Sequence, residues 1–358
     1  MNKVRLQYSR HACIAKFTNS MLRSRRFFSP LSKRIDEALR TASDYFSEGK
    51  LLECIAANEN LFSESISKSS MADDNIWLKI ASARVNTSFA LKHLSRIEEA
   101  LAHVREGIKI LDSNYSKCKP ELCHALDLAS ELSASTSNLS DAKQLVDRSL
   151  SLKRVIYDSN SFHLIHPLNL KGAIYTSEGR LGEAMTVLQE ALAIGVRHYG
   201  SERPLPQQVA VTLSNIAAVL RAESKFAECS AVYEEVAESF KHHFGADSWY
   251  FGQASLDLGN SLKSLGRPDK AKEAFLHGLP AFLASQGPQS ASAMEIISSL
   301  KDIGQDIHEE TSNDFVAELI SSALSTYPSK AAASIQGEFV ILDRRGHIGY
   351  DHPHTLLR

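Results

Sequence analysis

Small and apolar residues recur along this chain in one block that returns seven times. A small residue is followed twelve places later by an Ala-like anchor, and apolar residues stand four and eight places beyond it. The anchors are Cys54, Ala100, Ala142, Ala184, Cys229, Ala271 and Val316, spaced 46, 42, 42, 45, 42 and 45 residues apart. Twelve places before them stand Ala42, Ser88, Ser130, Gly172, Ala217, Gly259 and Gly304. Offsets of four and eight lie on one face of a helix. The residues Val104, Val146, Leu188, Tyr233 and Phe275, with Ile108, Leu150, Leu192, Ala237 and Leu279, therefore form a buried stripe. A period of this size predicts stacked helix pairs in place of one globular core.

Five places before the anchor comes Gly49, Ser95, Ser137, Gly179, Ser224 or Gly266, often followed by a cation such as Lys50, Arg96, Arg180, Lys225 or Arg267. Gly or Ser there ends the first helix in an unusual backbone conformation, and the cation is expected beside the carbonyl-rich helix end. The Ser-rich stretch 63–70 and the segment Ser201–Pro206 read as loop insertions that lengthen two spacings. The seventh block is degenerate, with Leu300, Gly304, Ile307, Val316, Ala323 and Leu324 before Pro328. Terminal repeats are commonly atypical, because one face meets water.

His166-Pro167-Leu168-Asn169-Leu170-Lys171-Gly172-Ala173-Ile174-Tyr175 and Pro206 through Ala217 carry a specific likeness. The chain resembles the tetratricopeptide repeat in the 42-residue form of kinesin light chains, whose first helices open with His-Pro and a Leu-Asn-Asn-Leu-Ala run. Asn215 keeps the second Asn of that run and Ser214 replaces the first. The likeness covers roughly residues 36–328. It implies an all-α, right-handed superhelical solenoid of about seven antiparallel helix pairs, with first helices lining a concave groove. By resemblance, the second, fifth, ninth and twelfth positions of each repeat face that groove. The candidate partner-binding residues are then Lys92, His166, Asn169, Thr176, Ser214, Arg221, Gln253, Asn260 and Lys263, with His124, Asp127, Glu131 and Ala134 in the same columns. Lys92, Arg221 and Lys263 share the twelfth column, a positive stripe suited to an acidic or carboxylate-bearing peptide. The family's clamp for acidic chaperone tails is not matched: Val85, Phe89, Asp127 and Glu131 occupy its fifth and ninth positions.

The first 34 residues hold nine Lys or Arg and no Asp or Glu, leaving 31 basic against 42 acidic residues in the rest. Leu6, Ile14, Phe17 and Met21 would share one side of a basic helix, the pattern of a mitochondrial presequence, and Arg26-Phe27-Phe28-Ser29 resembles a matrix-processing site; the alternative is a basic arm that touches lipid or nucleic acid. The chain is thus expected to divide into a targeting leader at 1–34, a repeat array at 35–328 and an irregular tail at 329–358. The tail segment Gly349–Leu356 resembles the opening of a further repeat. No run of apolar residues reaches the length of a transmembrane helix. A net-acidic repeat region and a 42-residue period speak against nucleic acid as partner.

No phosphate-cradling glycine loop, nucleophile elbow or paired-carboxylate signature is present, so no catalytic residue is assigned. Cys54 and Cys229 sit in the anchor column, Cys118 and Cys123 lack a metal-site spacing, and the His pairs lie at helix openings. Neither a metal nor another cofactor is expected. The sequence predicts a non-catalytic scaffold for protein–protein interaction, in the mitochondrial matrix as an adaptor or assembly factor. The alternative is a cytoplasmic cargo adaptor of kinesin-light-chain type. That family carries a long heptad coiled coil ahead of its repeats, and the 35 residues preceding the first repeat here hold no heptad pattern. Partner identity and oligomeric state are not encoded in any motif.

Overall fold

The computed structural model describes residues 30–63, 76–114, 119–287 and 290–306. Among them the chain forms thirteen α-helices and one short 3₁₀ turn, with no strand. In order these are α1 (Pro30–Ser47), α2 (Leu51–Ser63), α3 (Ile76–His93), α4 (Ile97–Asp112), α5 (Lys119–Ser135) and α6 (Leu139–Ile156). After the turn Phe162–Leu164 come α7 (Ile165–Ser177), α8 (Leu181–Tyr199), α9 (Gln207–Ala222), α10 (Phe226–Phe244), α11 (Trp249–Ser264), α12 (Pro268–Gln286) and α13 (Ala291–Asp306). Every helix packs most closely on its neighbour in sequence, so the elements are α1α2, α3α4, α5α6, α7α8, α9α10 and α11α12 pairs, with α13 opening a seventh. The anchor Val316 and the residues meant to close that pair lie outside the described residues, as do the leader up to residue 29 and the tail 329–358. α1 begins at Pro30, within the stretch 1–34 that the sequence reading assigns to a leader.

The array falls into two compact units, one ending at Ser159 and the other starting at Asn160. The first is built of α1 to α6 around a core running from Ala42 through Trp77, Ala100 and Leu111 to Leu132. A smaller cluster of Ile35, Leu39, Leu61, Ile76 and Ile80 closes its N-terminal side. The second is built of α7 to α13 around three linked clusters centred on Leu188 and Tyr233, on Phe240 and Phe251, and on Phe275 and Phe282. Each layer of core is thus shared between one pair and the next, as a repeat architecture requires.

The anchors Cys54, Ala100, Ala142, Ala184, Cys229 and Ala271 are all fully buried, and so are the small residues twelve places earlier. In the α7α8 and α11α12 pairs the small residue meets the apolar residue four places past the anchor. A Cβ built on Gly172 would lie 2.5 Å from Leu188 Cγ, and one on Gly259 would lie 2.5 Å from Phe275 Cδ1. Glycine stands opposite the bulky Leu188 and Phe275, whereas Ser88 and Ser130 belong to pairs with the slimmer Val104 and Val146. Ser130 also spends its hydroxyl on the carbonyl of Ala142 at 2.8 Å, tying the two helices of its pair together.

The turns adopt the expected left-handed backbone: φ is 77° at Gly49, 60° at Ser95, 63° at Ser137, 75° at Gly179, 61° at Ser224 and 71° at Gly266. The next residue's N–H then reaches back to a carbonyl five places earlier, as in Arg96 to Leu91 at 2.9 Å and Arg180 to Tyr175 at 2.8 Å. That bond is the closing interaction of a Schellman cap. The turn cations differ from expectation. They answer carboxylates at the helix junction: Lys50 with Glu48, Arg96 with Glu99, Arg180 with Glu178, and Lys225 with Glu223. Acids flank the turn on both sides, and a charged carboxylate outcompetes a half-charged helix end.

Two outcomes follow from this packing. Gly259→Ala should destabilise the second unit by about 1–3 kcal/mol through overpacking, and Phe275→Val in the same chain should recover part of it, read as urea midpoints. Ser137→Gly should raise stability by about 1 kcal/mol and Gly179→Ala should lower it by a similar amount, because only glycine holds positive φ without a Cβ clash.

Candidate functional site

Beside the apolar core, a set of polar contacts runs from one first helix to the next. In the first unit Lys79 of α3 pairs with Asp36 of α1 at 2.8 Å, and Lys92 of α3 pairs with Glu131 of α5 at 2.6 Å. In the second unit Asn169 of α7 donates to Thr212 Oγ1 of α9 at 3.0 Å, and Thr212 in turn donates to the carbonyl of Gln208. Arg221 of α9 reaches Asp257 of α11 at 3.2 Å, and Gln253 donates to the other oxygen of Asp257 at 2.8 Å. Asn260 and Lys263 of α11 reach Glu295 and Asp302 of α13 at 3.0 and 2.9 Å.

Most of the residues singled out in the sequence therefore lie in these two rows of first helices. Lys92, Asn169 and Gln253 are buried, Arg221 and Lys263 are half-buried, and Asn260 is half-buried against Glu295. His166 and Ser214 are half-buried as well, and Thr176 turns back to donate to the carbonyl of Gly172 at 2.9 Å. Asp127 departs from its column. It lies inside its own pair, where Lys153 and Ser149 of α6 both reach it at 2.5 Å.

The three cations of the twelfth column form no open positive stripe. Each is answered by a carboxylate of the next first helix, 36 residues on for Arg221 and 39 for Lys92 and Lys263. Glu131, Asp257 and Asp302 were the missing half of the pattern. Their signal was present in the sequence as an acid one repeat downstream of each cation, at the sixth position of the next block for Asp257 and Asp302.

Burial separates these pairs. The side chains of Lys92 and Glu131 are 7% and 5% exposed, those of Lys153 and Asp127 are 5% and 4%, while Lys263 and Asp302 are 37% and 57%. Burial raises the Glu131 carboxyl above its ordinary range, with the Lys92 charge pulling the other way. Asp257 holds the Arg221 guanidinium firmly charged. His103 of α4 moves the opposite way to Glu131. Burial, then the charge of Arg84, whose guanidinium stands 3.4 Å from its Nδ1, lower its pKa.

Among the described residues no helix is long and apolar enough to cross a membrane, and no group of three His, Cys, Asp or Glu is placed to hold a metal ion. The three described cysteines are buried. Burial pushes the thiols of Cys54 and Cys123 up to about 11 and about 12 and raises that of Cys229 as well, so none supplies a thiolate nucleophile.

Lys92→Met or Glu131→Leu alone should cost about 3–5 kcal/mol by stranding a buried charge, whereas the double variant should sit near wild type or above it. Chemical denaturation of all four proteins measures this. The His103 shift fixes a second sign. Its folded pKa lies below the ordinary value of about 6.5, so the stability it contributes is present above that pH and is lost as pH falls. His103→Gln should therefore flatten the decline of the urea midpoint between pH 7 and pH 5.

Residues 168–205, which hold most of α7 and all of α8, match the family model described as tetratricopeptide repeat. No curated protein matches the chain. Among solved structures, a Rap protein complexed with competence and sporulation factor is similar over 93% of this chain and 92% of its own, at 13% identity and a TM-score of 0.54. BtubC (BKLC) from P. vanneervenii is similar over 68% of this chain and 93% of its own, at 17% identity and a TM-score of 0.50. A kinesin light chain repeat protein of Podosopora anserina covers 56% of this chain and 93% of its own length, at 12% identity and a TM-score of 0.46. The fold is that of stacked tetratricopeptide-type helix pairs.

Proposed function

We propose that this chain is a non-catalytic scaffold that holds a segment of a partner protein along the first helices of its second unit, and that it does so in mitochondria. The observation that carries the reading is the row on α7, α9, α11 and α13. There amides, hydroxyls and compensated charges (His166, Asn169, Thr176, Ser214, Gln253, Asn260, Lys263) recur from one helix to the next. A repeated polar row on rigid helices suits a ligand that is itself repetitive, such as a stretch of polypeptide. The Rap protein of similar fold is complexed with a factor of its own.

The cations of that row are already paired, so the partner is read by hydrogen bonding and shape, and an acidic character is no longer required of it. Charge at the half-exposed Lys263–Asp302 pair would set encounter rate more than affinity. The mitochondrial part rests on the nine cations and absent acids of the first 34 residues.

Two experiments test the two parts. Deleting residues 1–29, which leaves α1 whole, should abolish the mitochondrial signal of a C-terminally tagged protein. An unchanged cytoplasmic signal with and without them would favour the cytosolic adaptor instead. For the binding surface, Ser214→Arg with Lys263→Glu should leave the circular-dichroism melt in place. It should also reduce at least tenfold the yield of whichever protein cross-links to the second unit in intact cells. An undiminished yield would move the binding surface elsewhere. Arg221→Glu is unsuitable for this purpose, because it would press a second carboxylate against the buried Asp257, whereas Asp302 beside Lys263 is open to water.

A further inference from the structure

We draw no further inference here: the strongest candidate, the buried side-chain cluster of Lys92, Glu131, Asp127, Ser149 and Lys153 between α3, α5 and α6, carries nothing beyond the fold because its charges are spent on one another and only the titration of Glu131 is left over.

Discussion

The whole architecture depends on how closely the two helices of a pair approach at the anchor. Leu188 fits over Gly172 and Phe275 over Gly259 with no room for one more carbon. The approach permits the αL turn five residues before the anchor to close with its backward hydrogen bond, since that bond needs the first helix to stop where the second begins. It also brings the stripes at four and eight places past the anchor into the layer shared with the next pair. Close packing makes such a contact intolerant of added volume, so the repeat is conserved in geometry even where Gly, Ala and Ser replace one another.

A second constraint acts at right angles to the first. Successive first helices meet through polar groups as well as apolar ones, and an ion pair removed from water contributes little net stability after its desolvation cost. What it does contribute is discrimination. Near-identical hairpins present near-identical apolar faces, and apolar surface alone is a poor judge of order. Lys92 against any first helix other than the one carrying Glu131 would leave a buried charge unanswered. Each junction within a unit has its own partners: Asp36 with Lys79, Lys92 with Glu131, Asn169 with Thr212, Arg221 with Asp257, Lys263 with Asp302. The apolar stripe supplies the cohesion, and the polar row penalises a first helix that packs out of register.

The helix pairs, their anchors and their turns were legible in the sequence because each is a local or fixed-offset pattern. A Cys, Ala or Gly at a set spacing is required by helix geometry alone, and Ser95, Ser137 and Ser224 could be recognised by standing where other repeats place Gly. The fate of the cations was not legible from a single column. Arg221 reads as an available charge until Asp257, 36 residues away, is brought to 3.2 Å. Asp127 misled for the same reason. Its position in the repeat is that of a first-helix surface residue, but α6 supplies Lys153 and Ser149 to draw it into its own pair. Side chains long enough to choose between two neighbours are decided by what those neighbours carry, and a column of one residue type does not contain that information.

The contrast between the two units bears on where a ligand can be held. In the first unit Lys92 and Glu131 are both buried and Asp127 is committed to α6, while His124 of α5 stays exposed. In the second unit the later members of the row remain half-exposed, and Lys263, Asn260 and Ser214 keep solvent contact while their backbones are fixed by helix packing. On the proposed reading, a partner arriving there would displace water from groups already oriented by their neighbours, so less ordering would be lost on binding than at flexible side chains. Rigid backbone beneath partly solvated amides and charges is the arrangement that the proposed peptide-holding surface needs.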